Sequence, residues 1–312
     1  MRLIRKDYIL DRWVYYATSR KKRPREFKSY DVKNETKDCL FCPLNEKLTP
    51  PEIGRVESNG HWKIRWFLNK YPAVEKRGSP RIISRKFFLE GSAYGIHEII
   101  AETNHHKSQL ADLPVEHIME LLDVFRVRIK ELSKAKNVKY VQIFKNHGKD
   151  AGTSLIHSHT QVMALSRIPS LVKEEINATK KYKKCPYCEI IRLESRSKRK
   201  IIETKNVIAF APFASRFNYE AWLFVKRHKT RMEELNGAEI RDLASTLKKL
   251  LVKLKKINSS YNLFVHYSPG KEDLHFHLEL TPRLATWGGF EISTSAVINS
   301  VMPEDAARFY RS

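Results

Sequence analysis

The chain has 312 residues, 42% of them hydrophobic and 11% aromatic, enough for one large folded domain or two of ordinary size. Its formal net charge is +23, from 58 Lys and Arg against 35 Asp and Glu, which suits an anionic partner but also describes a solvated, lysine-rich surface. No apolar run approaches the roughly 18 residues of a membrane span, and the opening MRLIRKDYIL lacks the apolar stretch of a secretory leader, so a soluble, cytoplasmic protein is expected.

Along the chain, charge peaks at Arg20–Arg25 and again at Arg196–Lys200. All four cysteines fall in two C-x2-C pairs, Cys39/Cys42 and Cys185/Cys188, a spacing that reads as metal chelation rather than a disulfide framework. After the first pair comes an apolar strand ending in histidines, HEIIAETNHH. An amphipathic helix is expected from about Pro114 to Ala135, with Ile118, Leu121, Leu122, Phe125, Ile129 and Leu132 on one face. Asp112 and a proline in the first turn mark its start. Then follow a strand, a polar loop and a strand carrying His157-Ser158-His159.

The polar, lysine-rich stretch Ile176–Lys184 is expected to separate this half from a second one with the same order of signals. There Cys185/Cys188 precede the apolar AWLFVKRH, which ends in His228. A second amphipathic helix spans about Ala238–Ile257, and YNLFVHYSPGKEDLHFHLELTP supplies another His-x-His at His275 and His277. The strand–loop–strand units predict antiparallel hairpins rather than crossover units. The expected fold class is α+β, two related antiparallel sheets with packed helices, divided as residues 1–175 and 176–312.

Zinc commonly takes two thiolates and two imidazoles in a tetrahedron. The first half offers Cys39, Cys42, a histidine at 105 or 106, and His157; the second offers Cys185, Cys188, His228 and His275. His61, His117 and His147 read as surface or core residues, while His97 and His105 sit beside the candidate ligands. Residues i and i+2 of a strand share a face, so a metal-held His157 would present His159 to the same cavity as nucleophile or base; the alternative makes both of them ligands. The preceding loop, Asn146 to Ser154, is rich in glycine, amides and hydroxyls, and suits phosphate oxygens.

On these residues the chain resembles the galactose-1-phosphate uridylyltransferase branch of the histidine-triad superfamily, including its ADP-glucose phosphorylase relatives. The likeness runs through RKDYILDRWVYYATSRKKRP, CLFCPLNEKLTPPE, FLNKYPAV, NHGKDAGTSLIHSHTQ, CPYC, VKRH and HFHLELTPRLATWGGFEISTSAVIN. The resemblance implies that His159 attacks the α-phosphorus and becomes nucleotidylated, and that Gln161 binds the phosphoryl group. It implies that Gly152, Thr153 and Ser154 form the phosphate loop, that Asn69 and Asn146 contact the nucleotide, and that Arg20 and Arg23 clamp phosphate oxygens. It also selects His106 as the third ligand of the first site. Two zinc ions per chain and a homodimer follow from it. Ser295 stands where the uridylyltransferases carry a hexose-gripping Glu.

The implied activity is uridylyl transfer between UDP-glucose and a hexose 1-phosphate. The alternatives are an ADP-glucose or dinucleoside polyphosphate phosphorylase with inorganic phosphate as acceptor, and a zinc-braced nucleic-acid-binding protein. Without stacking aromatics, nucleic acid is expected only as a non-specific, salt-sensitive passenger.

Overall fold

In the computed structural model, residues 2–18 and 39–312 are described. The first half lays down β1 (Arg2–Lys6), β2 (Trp13–Ala17), β3 (Glu52–Ser58), β4 (His61–Leu68), an exposed hairpin of β5 (Ile83–Arg85) and β6 (Phe88–Glu90), and β7 (Gly95–Ala101). Helix α1 (Val115–Leu132) follows, then β8 (Tyr140–His147), β9 (His159–Leu165) and α2 (Ser170–Thr179). The second half holds α3 (Pro186–Glu194), β10 (Lys200–Glu203), β11 (Val207–Phe210), β12 (Ala221–Val225), α4 (Gly237–Lys256), β13 (Tyr261–His266) and β14 (His277–Pro282). It closes with α5 (Gly289–Thr294), β15 (Val297–Asn299) and α6 (Pro303–Arg311).

The internal duplication is visible in the strand order. One half reads β3-β4-β7-β9-β8 and the other β10-β11-β12-β14-β13, each with its long helix inserted after the third strand. The two expected sheets turn out to be halves of one. They join where β8 pairs antiparallel with β13, from Tyr261↔His147 to Phe264↔Phe144, giving ten strands in a continuous antiparallel ladder. Pairing the inner edges removes two exposed strand edges that separate sheets would have left open. A smaller sheet, β1-β2-β15, which the sequence did not announce, brings the two ends of the chain together.

Both long helices form as their apolar spacing predicts. α1 buries Ile118, Leu121, Leu122, Phe125, Ile129 and Leu132, and α4 buries Ile240, Leu243, Leu247, Leu250, Leu251 and Leu254. α4 starts on a capping box between Asn236 and Glu239. α1 starts differently from the expectation: Pro114 stands just outside it with extended backbone, and Asp112 lies too far upstream to cap. Asp112 instead accepts from Gln109 N (3.0 Å) and pairs with Lys255 of α4. The expected separator, Ile176–Lys184, is helical in its first part. Its first residues complete α2 and bury Ile176, Ala178 and Thr179, because Val172 and Ile176 continue a helical stripe into the core. Among the described residues no helix is long and apolar enough to cross a membrane.

Candidate active site and metal centres

Two four-residue groups assemble as the spacing requires. In the first, Cys39, Cys42, His106 and His157 bring one ligand atom each within 4.8 Å of the others, and Cys185, Cys188, His228 and His275 do the same in the second. His106, not His105, joins the first group. The ring orientations fit a metal. His157 Nε2 donates to Thr103 O (2.7 Å), leaving Nδ1 with its lone pair 3.5 Å from Cys39 Sγ and 3.6 Å from Cys42 Sγ. His275 repeats this, with Nε2 on Val225 O (2.8 Å) and Nδ1 3.6 Å from Cys188 Sγ. A carbonyl accepts only, so each tautomer is fixed and each Nδ1 is a ligand in waiting. Burial and the neighbouring Cys39 sulfur push the Cys42 thiol up to about 12, a cost that a dication between the sulfurs reverses. Each donor set suits a closed structural site.

A third buried group, Glu175, His266, His277 and Glu279, is also close enough to share an ion. Its charge is already met from within: Arg216 Nη2 lies 2.6 Å from Glu279 Oε2, and His266 Nδ1 3.0 Å from Glu175.

His159 opens β9, two residues past His157, where Ala101 faces it across the sheet. Its Nδ1 donates to His157 O (2.9 Å), so Nε2 carries the lone pair. Burial pushes the ring below its ordinary pKa, with Lys145 adding to the effect, and both favour the neutral imidazole. Phe41, from between the first two cysteines, packs its ring 5.3 Å from that of His159. The Cys39–Cys42 segment thus also walls the nucleophile candidate.

Two clefts meet at His159, Ser154 and Leu155. The wider one, about 270 Å³, has apolar walls from Leu40, Phe41, Phe67 and Ile99, with Asn69 and Gln161 as polar points. The other, about 180 Å³, is lined by Asn146, Gly148, Lys149 and Thr153 of the polar loop. The loop turns on Gly148 (φ 81°) and Gly152 (φ 82°). At Gly148 a Cβ would run into the Ser260 side chain, so a side chain is crowded there as well as strained. From the second half, Asn262 Nδ2 donates to Asn146 Oδ1 and to Ala151 O, both at 2.9 Å. Ser154 is exposed at the junction of the clefts. Of the remaining expected residues, Arg20 and Arg23 lie outside the described residues.

Sequence reasoning missed the ion pair beneath the strand. Lys145 Nζ, fully buried, donates to Glu102 Oε2 (2.8 Å), Ser158 Oγ (3.0 Å) and His159 O (3.1 Å). Burial alone would raise the Glu102 pKa, yet Lys145, Ser158 and Thr160 hold it below the ordinary value. His117, expected in the core, is buried and donates from Nε2 to Glu102 O (2.7 Å), while His61 is a surface residue. His147 lines the smaller cleft and donates from Nδ1 to Gln109 Oε1 (3.1 Å). A lysine on a strand that alternates apolar residues was the one available signal. Lys145→Met should reduce unfolding free energy by about 3–5 kcal/mol, since it strands a buried carboxylate. Adding Glu102→Leu should recover much of that loss, and urea titrations of both variants are the check.

The second half repeats the local geometry without the access. His277 Nδ1 lies 2.9 Å from His275 O, as His159 Nδ1 does from His157 O, and Glu279 stands where Gln161 stands. His277 is fully buried among Tyr187, Trp222 and Phe224, so no ligand reaches it.

Comparison with known proteins agrees with this geometry. The sequence model described as galactose-1-phosphate uridyl transferase, N-terminal domain, matches residues 2–169. An ADP-glucose phosphorylase of Arabidopsis thaliana is 34% identical over 99% of this chain and 92% of its own length. The galactose-1-phosphate uridylyltransferase of Thermotoga maritima is 30% identical over 99% and 97%. The crystal structure of an Arabidopsis thaliana ADP-glucose phosphorylase with bound ADP-glucose superposes with a TM-score of 0.87 at 31% identity, covering 100% of this chain and 99% of that one. Site geometry, sequence and fold lead to one conclusion: the chain is a nucleotidyltransferase enzyme and belongs to the galactose-1-phosphate uridylyltransferase family.

Proposed function

We propose that the protein moves a nucleoside monophosphate from a nucleotide sugar onto His159 and from there to a phosphate-bearing acceptor. The observation that carries this reading is the Nε2 of a neutral His159, its other nitrogen tied to His157 O, at the meeting point of two clefts. In the first step, Nε2 attacks the α-phosphorus. A P–N bond forms, the P–O bond to the sugar phosphate breaks, and hexose 1-phosphate leaves with the electron pair. In the second step, an acceptor phosphate oxygen attacks, the P–N bond breaks, and the lone pair returns to Nε2. Gln161, Ser154 and the amides of the Gly148–Gly152 turn stabilise the charge on the phosphoryl oxygens, with Arg20 and Arg23 assigned to the same task. Asn69 and Asn146 hold the nucleotide.

The four-residue groups are proposed as two zinc sites per chain. Zinc there supplies rigidity, with Cys39, Cys42, His106 and His157 bracing the catalytic half, residues 1–175, and Cys185, Cys188, His228 and His275 bracing residues 176–312. A cytoplasmic homodimer completes the reading.

For the substrates, uridylyl transfer from UDP-glucose to a hexose 1-phosphate is the first reading. A second, phosphorolysis of ADP-glucose by inorganic phosphate, is supported by the whole-chain likeness to the Arabidopsis phosphorylase and by Ser295, exposed at the end of α5. Incubating the enzyme with UDP-glucose or ADP-glucose, each with galactose 1-phosphate or phosphate, separates the two. Chromatography should show glucose 1-phosphate released with UDP-galactose in the first case and with ADP in the second. No turnover of any pair would remove both readings.

A further inference from the structure

Gln161 reaches the edge of the wider cleft with an amide whose two ends are chemical opposites, an acceptor oxygen and a donor nitrogen. The two orientations differ little in shape, so a neighbour must choose between them. That neighbour is His97 of β7, 6% exposed. The Asn69 Nδ2 group lies beside both ring nitrogens and does not choose between them, so a backbone donor fixes the ring. Ala73 N–H is a donor only and lies 3.1 Å from Nδ1, which therefore carries the lone pair. The ring proton then sits on Nε2, 3.0 Å from Gln161 Oε1, and donates to it. Burial pushes His97 below its ordinary pKa, which keeps the ring in this neutral form. With Oε1 occupied, the Gln161 NH2 is the end left for the cleft.

The segment that fixes His97 is itself part of the cleft. Asn69 Nδ2 lies 3.2 and 3.5 Å from the two ring nitrogens, and its Oδ1 accepts from Tyr71 N at 2.9 Å. Asn69, Lys70 and Tyr71 line the wider cleft, whereas His97 lines neither. The ring therefore stands between a ligand-facing loop and a ligand-facing amide without touching the ligand.

We infer that His97 is a positioning residue that locks Gln161 with its N–H groups toward the phosphoryl group on His159, and that residues 69–73 set His97 through the Ala73 N–H. The inference rests on His159 being the nucleophile. A flipped amide would aim its oxygen at anionic phosphoryl oxygens, turning attraction into repulsion in the transition state. His97 thereby ties filling of the wider cleft to the orientation of the group that stabilises transfer.

The test compares wild type, His97→Phe, His97→Gln, Gln161→Ala and the His97→Phe/Gln161→Ala double variant for kcat, KM and melting temperature. Labelled adduct formed without acceptor is measured alongside. His97→Phe should lower kcat about 10–100-fold with KM little changed, as for other lost orienting partners. His97→Gln, which places an amide N–H near the position of the ring Nε2–H, should restore most of kcat. The double variant should be no slower than Gln161→Ala alone, because both act through one amide. Losses that multiply in the double variant, or a His97→Gln as slow as His97→Phe, would overturn the inference. Should His97→Phe not fold, the tautomer decides. Long-range proton–nitrogen spectra of histidine-labelled wild type should show His97 protonated at Nε2, and protonation at Nδ1 would overturn it too. Absence of any adduct on wild type would instead remove the nucleophile reading, while the tautomer still reports on His97 and Gln161.

Discussion

His159→Ala should abolish both nucleotidyl transfer and the trapped adduct, while the protein keeps its full metal content. Loss of a nucleophile that nothing replaces lowers kcat by at least about 10⁴-fold in comparable covalent enzymes. Wild type mixed with labelled nucleotide sugar and no acceptor should hold one nucleoside monophosphate per chain, because His277 is sealed. The bond should be acid-labile and alkali-stable, as a phosphoramidate is. Metal should be unaffected because His159 spends Nδ1 on His157 O and is not in the first donor set. Labelling of His159→Ala would move the nucleophile elsewhere, to Ser154 first. Metal loss from that variant would return His159 to the ligands.

The opposite pattern is expected on removing a ligand. His157→Ala and Cys39→Ser should each release one of two metal equivalents, by elemental analysis, and lower unfolding free energy by at least about 4 kcal/mol. Activity should fall with them. Phe41, which packs on the His159 ring, sits between Cys39 and Cys42, and the carbonyl that orients His159 belongs to His157. Cys185→Ser removes the other equivalent at a distance from the clefts. It should cost comparable stability yet leave adduct formation intact at temperatures where the variant is folded. A Cys185→Ser protein that folds but takes no label would show that the second site does more than brace.

The two helices and both donor sets were legible because their signals are local and periodic. α1 and α4 each carry six apolar residues on one face, and each C-x2-C can serve only a few chemistries. The place of His159 at the cleft, next to His157, was legible for a related reason, the two-residue repeat of a strand. What escaped was set by pairings distant in sequence. Nothing in Lys145, Glu102 and Thr160 read singly shows that they converge beneath His159, and His97 looks like a spare ligand until Gln161 lies opposite it. The joining of two sheets into one was hidden likewise, since the inner edges β8 and β13 alternate as any strand would. Asp112 misled because a capping residue is recognised by type, whereas Pro114 fixed where the helix begins.

The β8–β13 seam joins two related halves within one covalent chain, and that changes how the protein can evolve. In a dimer of identical subunits every substitution appears twice, once in each copy. Here Gln161 and Glu279 occupy matching places yet have diverged, one facing a cleft and the other paired with a half-buried Arg216. Asn262 belongs to the half without an open histidine, yet it holds Asn146 and the Ala151 carbonyl of the turn that lines the smaller cleft. Substitutions around Asn262 can shift that turn by fractions of an ångström without altering any group that meets the substrate. The half without an open histidine is thus an inherited adjustment screw, through which selection can retune the Gly148–Gly152 turn while the strand that carries His159 stays unchanged.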